Sequence, residues 1–218
     1  MPDLSIVLGF SGKIPELVDE HEVKKSDKSI ELIRRYTGGG TVIVDDSTFF
    51  TSFIMNNKDA DCKPYPRDIM QWSNIVFQPV FENFGGNVQF ALNENDYVLN
   101  DLKIGGNAQT IIKDRWVHHT SFLWDFKAEN MKYLLMPKKR PEYRRDRDHL
   151  DFLDRVNNHI ESKVEFEKRI LEASSQFYDI EEIDFKETEQ MILQEIERTK
   201  DNEKEMKMLV RTRVEPLV

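Results

Sequence analysis

A run of three glycines between two strand-like segments constrains the fold more than any other feature of the sequence. Residues 38–40 are all glycine, and they separate residues 30–36 from residues 41–46, both rich in β-branched side chains. The pattern predicts two strands joined by a glycine loop. Since glycine lets another group approach the backbone, the loop is either a plain tight turn or an anion cradle. Arg34 and Arg35 directly before it favour a cradle in which N–H groups and a guanidinium hold phosphate or carboxylate oxygens.

The order of periodic patterns along the chain predicts an α+β fold. Strand-like runs come first, at residues 5–10, 30–36, 41–46 and 48–55. Apolar spacing then predicts a helix over residues 67–84, kinked at Pro79 and ended by Gly85 and Gly86. Further strand-like stretches follow at residues 88–92, 97–106 and 108–124, with a turn at residues 114–116. The later spacing is helical, at residues 130–135, 148–160, 163–177 and 185–208. We therefore expect a mixed, mostly antiparallel β-sheet backed by helices.

Composition excludes several classes of function. The net charge of -9 argues against nucleic-acid binding, because such domains are usually basic. The apolar runs are short, so we expect no membrane span. The N-terminus shows neither a signal nor a transit peptide pattern. Together with a single cysteine, Cys62, this favours the cytoplasm or the mitochondrial matrix.

A second glycine-bearing stretch carries a lysine. In DLKIGGNAQ, residues 101–109, Lys103 lies two residues before Gly105 and Gly106. A lysine in a strand-like stretch is commonly a solvated strand residue. The neighbouring glycines indicate instead that a ligand passes close to the backbone. An ammonium held there can neutralise charge on a phosphoanhydride and its acyl carbonyl.

The sequence contains three stretches in order: RRYTGGGTV, NDYVLNDLKIGGNAQ and DRWVHHTSFLW. Together they resemble the lipoate–protein ligase family, which is part of the wider group of biotin and lipoate protein ligases. The resemblance runs from about residue 6 to about residue 177 and implies the biotin/lipoate ligase catalytic-domain fold. It also implies an ATP-dependent enzyme that uses Mg²⁺ and lipoate to form lipoyl-AMP. The lipoyl group then passes to a lysine of a lipoyl domain, on 2-oxoacid dehydrogenase E2 subunits or the glycine cleavage H protein.

The resemblance also implies roles for individual residues. Lys103 would be the catalytic lysine that bridges the acyl carbonyl and the phosphate, and Arg35 would contact α-phosphate or carboxylate oxygens. The other residues expected to bind substrate or adenylate are Thr37, Gly38, Gly39, Gly40, Asn95, Asp96, Gly105, Gly106, Ala108 and His119. The HH pair of His118 and His119 is expected to be mostly structural. No side chain is predicted as a metal ligand.

The resemblance divides the chain into two parts. Residues 1–180 are expected to form the catalytic domain, and residues 181–218 a charged helical extension. The resemblance implies a helix and a strand ahead of residues 5–10, and we expect these N-terminal elements to be missing here. We expect either an unpaired strand edge or another element that covers it.

Other readings stay open. Octanoyltransferases share the expected fold but use a thiol nucleophile, and Cys62 lies away from the position expected for that thiol. Biotin ligation is disfavoured because the GRGRxGR-type loop is absent. The positions after the glycine loop depart from the family pattern, which leaves a non-catalytic, regulatory homologue that binds acyl-adenylate as an alternative. The basic loop at residues 137–147 either docks an acidic acceptor domain or is simply solvated.

Overall fold

A four-stranded sheet holds the glycine loop at one end. The computed structural model describes residues 4–82, 88–137, 140–199 and 213–216. In the order β3-β1-β2-β9, the strands of this sheet are β1 (Leu4–Leu8), β2 (Ile30–Arg34), β3 (Val42–Val44) and β9 (Arg213–Glu215). β1 and β2 are parallel, so the chain must cross over between them, and it does so through α1 (Ile14–Leu17) and α2 (Glu20–Lys24).

A five-stranded antiparallel sheet forms the larger part of the fold. In the order β4-β8-β7-β6-β5, its strands are β4 (Thr48–Asn56), β5 (Phe90–Asn93), β6 (Asp96–Leu99), β7 (Leu102–Ile111) and β8 (Arg115–Leu123). Short turns join β5 to β6 and β6 to β7, and Glu94 and Asn100 in these turns have positive φ. Two sheets with one parallel pair confirm the predicted α+β, mostly antiparallel fold.

Helices cover one face of the larger sheet. They are α3 (Pro66–Phe77), which continues as a 3-10 turn (Gln78–Phe81), and α5 (Lys163–Ser174). Of the other later helices, α4 (His149–Phe152) contacts β7, and α6 (Phe185–Thr199) is exposed from residue 185 to residue 198. Phe77 of α3 and Phe166 of α5 both pack against Phe122 of β8, with ring centroids 5.2 Å apart in each case. Because side chains alternate along a strand, this core leaves the other face of the sheet available for a site.

Several predicted elements differ in detail from the structure, among them a helix and a turn. The helix predicted for residues 67–84 is α-helical only to Phe77, because Pro79 cannot donate a backbone hydrogen bond, and it tightens into the 3-10 turn. Its predicted end at Gly85 and Gly86 lies outside the described residues. The predicted turn at residues 114–116 is also misplaced, since β8 already begins at Arg115.

The C-terminal part holds one element that the sequence pattern missed. The helix predicted for residues 185–208 is described as α6, which ends at Thr199, and residues 200–212 lie outside the described part. β9 then pairs antiparallel with β2, so it covers the outer side of that strand. β1 itself lies between β3 and β2 rather than at an edge. Of the helices described, none has the length and apolar character needed to span a membrane.

Candidate functional site

The candidate site lies on the face of the larger sheet that points away from α3. Along β8, Trp116, His118, Thr120 and Phe122 are buried, whereas His119 and Ser121 point to the opposite face. In the strand register, His119 lies beside Ala108 of β7 and Ser121 lies beside Gly106. Small residues at these two positions of β7 leave a shallow floor on this face.

Lys103 is held over this floor by a carboxylate. The register between β6 and β7 shifts directly after Lys103, since Val98 pairs with Lys103 and Tyr97 pairs with Gly105. The lysine Nζ lies 2.8 Å from Asp96 Oδ1, and the lysine side chain is 24% exposed. A Cβ added to Gly106 would lie 3.3 Å from that Nζ, closer than ordinary contact, so glycine at this position gives the ammonium its room. The ammonium therefore has a defined place on the site face.

Arg35 organises the glycine loop from within. Its guanidinium donates to the carbonyl oxygens of Gly38 (3.0 Å) and Gly40 (2.6 Å), and also to that of Val7 (3.3 Å). Burial lowers the pKa of Arg35 to about 10. Among the described residues, no hydrogen bond uses the N–H groups of Gly38, Gly39 or Gly40. With the Gly38 and Gly40 carbonyls turned toward Arg35, the loop has the free N–H groups that an anion cradle requires.

The glycine loop and the lysine strand meet. A Cβ built on Gly39, which has a φ of 106°, would lie 3.2 Å from the carbonyl oxygen of Asn107 and 3.5 Å from Ala108 Cβ. The loop therefore rests on β7 next to the floor that Lys103 overhangs. A Cβ on Gly9 would lie only 2.2 Å from the Gly39 carbonyl oxygen, so the β1 end also packs directly against the loop.

The remaining predicted site residues border this groove or support its walls. Thr37 is buried within the loop segment. The Asn95 carbonyl accepts a hydrogen bond from the side chain of Asn107, which also accepts one from buried Thr120 and therefore lies on the core face. A Cβ added to Gly105 would contact Phe122, so Gly105 belongs to the core face. His119 contacts Ser52 Oγ through Nδ1 at 2.6 Å. Burial, and then the nearby charge of Arg35, lowers the pKa of His119, which favours the neutral ring.

Residues 3–177 match the sequence model of the lipoyl protein ligase A/B catalytic domain, which is most of the chain. The chain belongs to this family. Among curated relatives of this lipoyl ligase domain, the inactive lipoate–protein ligase 2 of Plasmodium falciparum is 33% identical, over 69% of this chain and 47% of that protein. The lipoate–protein ligase 2 of Staphylococcus aureus is 27% identical, over 57% of this chain and 33% of that protein. The chain thus spans less than half the length of these relatives.

Solved structures show the same fold. A bipartite lipoate protein ligase of Thermoplasma acidophilum, studied with its E2 lipoyl domain, gives a TM-score of 0.71 at 21% identity, covering 89% of this chain and 76% of that one. A T. acidophilum protein with bound lipoic acid gives a TM-score of 0.70 at 21% identity, over 89% of this chain and 77% of that one. These likenesses establish the fold of the lipoyl ligase domain, consistent with the fold class expected from the sequence.

The two adjacent histidines of the lipoyl ligase domain have opposite environments. His118 is buried, and its Nε2 lies 3.1 Å from Ser73 Oγ of α3 while its Nδ1 lies 2.9 Å from Gln109 Nε2. Burial, and then the proximity of His119, lowers the pKa of His118 to about 3. His118 therefore ties the sheet to α3, while His119 faces the groove.

Cys62 lies on the core side of the sheet, away from the groove. It packs against the cluster that contains Trp72 and Trp116. Burial raises the pKa of its thiol, and the nearby carboxylates of Asp68 and Asp61 raise it further. A thiol in this environment is a poor nucleophile, which agrees with the expectation that Cys62 is not placed as the nucleophile of an octanoyltransferase.

Sequence reasoning missed the residue that contacts Asp96 from outside the sheet. Tyr143 donates its hydroxyl hydrogen to Asp96 Oδ2 at 2.9 Å. It belongs to the predicted basic loop, of which Lys138 and Lys139 lie outside the described residues. Arg144 in this loop is only 4% exposed, so this part of the loop is packed against the domain. No local spacing pattern identifies Tyr143, because its partner is distant in sequence.

Gly9→Ala is expected to destabilise the protein, because its Cβ would collide with the Gly39 carbonyl and displace the loop. We expect a loss of about 1–3 kcal/mol in the free energy of unfolding, measured by urea denaturation. Gly40→Ala is the matched control, since a Cβ there meets nothing within 4 Å. Equal stability of the two variants would contradict the close packing of Gly9 on the loop.

The protein is expected to become less stable as the pH falls, because His118 is held neutral in the folded state. Its folded-state pKa is about 3 against an ordinary value of 6.5, so between these values the unfolded chain binds a proton that the folded protein excludes. His118 therefore contributes a pH dependence of at most about 1.4 kcal/mol per pH unit to the free energy of unfolding. This stability is lost as pH falls from about 6.5 toward about 3.

The measurement is the free energy of unfolding in urea at about pH 7 and about pH 5. His118→Gln should show the weaker pH dependence, whereas His21→Gln, at an exposed histidine, should keep the slope of the unmodified protein. A slope in His118→Gln as steep as that of the unmodified protein would show that His118 is not held neutral.

Proposed function

We propose that this chain is a lipoate–protein ligase or lipoyltransferase, which forms or uses lipoyl-AMP and passes the lipoyl group to a lysine of a lipoyl domain. One observation carries the proposal. The ammonium of Lys103 lies over a floor without bulky side chains, and the glycine loop with unused N–H groups borders the same floor. A cation and a set of amide donors beside one floor support the proposal, because they suit a phosphate and an adjoining acyl group.

The chemistry suits these groups. An acyl-adenylate already carries a good leaving group, so the protein needs no nucleophile of its own. Its task is to hold the phosphate, to orient the acyl carbonyl and to stabilise the negative charge that develops during attack by an amine. The N–H groups of Gly38, Gly39 and Gly40 serve the phosphate, and Lys103 serves both the phosphate and the carbonyl oxygen.

ATP would supply the adenylyl group that activates lipoate. The solved relatives include one with ATP and one with lipoic acid, which supports these substrates for the fold. In the described residues, no three side chains of His, Cys, Asp or Glu form a metal-binding cluster. Mg²⁺ carried with a nucleotide takes many of its ligands from phosphate and water, so our proposal of Mg²⁺ with ATP requires no such cluster.

The proposed acceptor is a lipoyl domain, on E2 subunits of 2-oxoacid dehydrogenases or on the glycine cleavage H protein. The bipartite ligase from T. acidophilum was studied with an E2 lipoyl domain, which supports this class of partner. We propose the cytoplasm or the mitochondrial matrix as the place of the reaction. Residues 1–180 are proposed to carry it, with residues 181–218 as an extension.

A second candidate function is binding of acyl-adenylate without turnover. The P. falciparum relative at 33% identity is named an inactive ligase. In addition, the guanidinium of Arg35 is occupied by carbonyl groups of its own chain, so it is not free for the phosphate contact expected from the resemblance. A domain with this site can retain the cradle and lack the activation step.

Lipoylation of an acceptor domain tests these functions. The protein is incubated with a lipoyl domain and either lipoate with Mg-ATP or preformed lipoyl-AMP, and the acceptor mass is measured. Lys103→Ala should lower the rate on the order of a hundredfold or more, since it removes a cation from the developing charge. Lys113→Ala, at an exposed lysine just beyond the far end of the same strand, is the control.

The outcomes separate the candidates. Product with both donors indicates a complete ligase. Product with lipoyl-AMP alone indicates a transferase that depends on a separate activating enzyme. No product with either donor supports the binding protein. A near-normal rate in Lys103→Ala would refute the role assigned to this lysine.

A further inference from the structure

Residues 142–152, here called the clamp segment, form hydrogen bonds to the turns at both ends of β6. The backbone N–H of Tyr143 donates to Glu94 Oε1 at 3.2 Å, in the turn before β6. Arg147 Nη1 donates to the carbonyl oxygen and to Oδ2 of Asp101 at 3.2 and 3.1 Å, in the turn after β6. The clamp segment therefore has a defined position relative to the strand that carries Asp96.

The clamp segment is also braced internally. Arg147 Nη2 donates to the Tyr143 carbonyl at 2.7 Å, and Arg144 and Arg147 each donate Nε to the other's carbonyl at 3.1 Å. Both guanidinium groups lie over the ring of Phe152, at 4.8 and 5.4 Å from its centroid. The Tyr143 ring packs 5.1 Å from the same ring. Two arginines of the basic loop thus hold Tyr143 in place instead of presenting charge to a partner.

Tyr143 and Lys103 meet at opposite oxygens of one carboxylate. The Tyr143 hydroxyl donates to Asp96 Oδ2 at 2.9 Å, and Lys103 Nζ lies 2.8 Å from Asp96 Oδ1. The Asp96 side chain is only 10% exposed, so water competes weakly for either oxygen. A carboxylate held by two donors on separate oxygens keeps one orientation. Burial, and then the charge of Asp96, raises the pKa of Tyr143, so its hydroxyl stays protonated as a donor.

We propose that Tyr143 is a positioning residue for Lys103. It acts through Asp96, whose orientation it fixes, and so keeps the ammonium over Gly106 at the groove. Without the hydroxyl, the carboxylate can rotate and the ammonium is held over a wider range of positions. The benefit for acyl-adenylate binding rests on the proposed function, whereas the control of Lys103 by Tyr143 does not.

The first experiment measures affinity for a non-hydrolysable lipoyl-sulfamoyl-adenosine by calorimetry. Tyr143→Phe keeps the ring on Phe152 and removes only the hydroxyl, and we expect roughly tenfold weaker binding. Tyr178→Phe is the matched control, because it also removes a tyrosine hydroxyl that donates a hydrogen bond, here to the Asp59 carbonyl at 3.3 Å. In an Asp96→Asn background, Tyr143→Phe should have little further effect, since its path to Lys103 is already lost.

The second experiment reports on Lys103 without any assumption about function. Trace acylation of lysines, followed by peptide mass spectrometry, gives the reactivity of Lys103 relative to exposed Lys113 in the same sample. Tyr143→Phe should raise that ratio a few-fold while Tyr178→Phe leaves it unchanged, with melting temperatures measured alongside. This readout separates positioning from a loss of stability, which would affect both lysines through unfolding.

The results decide the inference in every case. An unchanged Lys103 ratio in Tyr143→Phe overturns it, whatever the probe affinity. An additive effect of Tyr143→Phe in the Asp96→Asn background also overturns it, because Tyr143 would then act by another path. If the unmodified protein fails to bind the probe, the proposed function fails, and the Lys103 ratio alone decides the role of Tyr143.

Discussion

The ion pair between Lys103 and Asp96 is the interaction on which the site depends. A partly buried ammonium is stable only if a partner replaces the water that it loses, and Asp96 provides this partner at 2.8 Å. The same carboxylate fixes where the ammonium lies, and Gly106 leaves room for it. The bulge between β6 and β7 sets the register that brings these residues to one face. The position of the positive charge in the groove is thus set by local strand geometry.

The second cation of the motif has a different task. Arg35 is surrounded by carbonyl oxygens of its own loop, which compensate a buried guanidinium and at the same time curve the backbone. Among the described residues, the N–H groups of the loop have no hydrogen-bond partner, so they provide positive potential without a flexible side chain. Anion binding by this loop would therefore be built into the backbone, and Arg35 would maintain it from behind. Gly9 serves the same end, since its lack of a side chain allows β1 to approach the loop.

Local patterns revealed the parts of the site that lie within single strands and loops. The glycine loop, the lysine before Gly105 and the adjacent histidines were all visible, because each depends on a few consecutive residues. The structure brings the loop and the lysine strand together, as their order in the family motif implied. Contacts between distant segments could not be predicted in this way. Tyr143 meets Asp96 across 47 residues, and Arg34 meets Glu215 across 181. Neither pair leaves a periodic pattern in the sequence, since each contact depends on how separate strands and helices pack together.

Strand alternation separates the demands of the fold from those of the chemistry. On β8, His118 and Phe122 secure the sheet to the helices, whereas His119 and Ser121 contribute to the groove. Substitutions on the groove face can therefore change activity while the core that defines the family stays intact. The curated relatives include a protein named inactive, and a core kept apart from the groove is compatible with such a relative. In this chain the groove face keeps its cation, its carboxylate and its glycine loop, and the clamp segment adds a donor that holds the first two together.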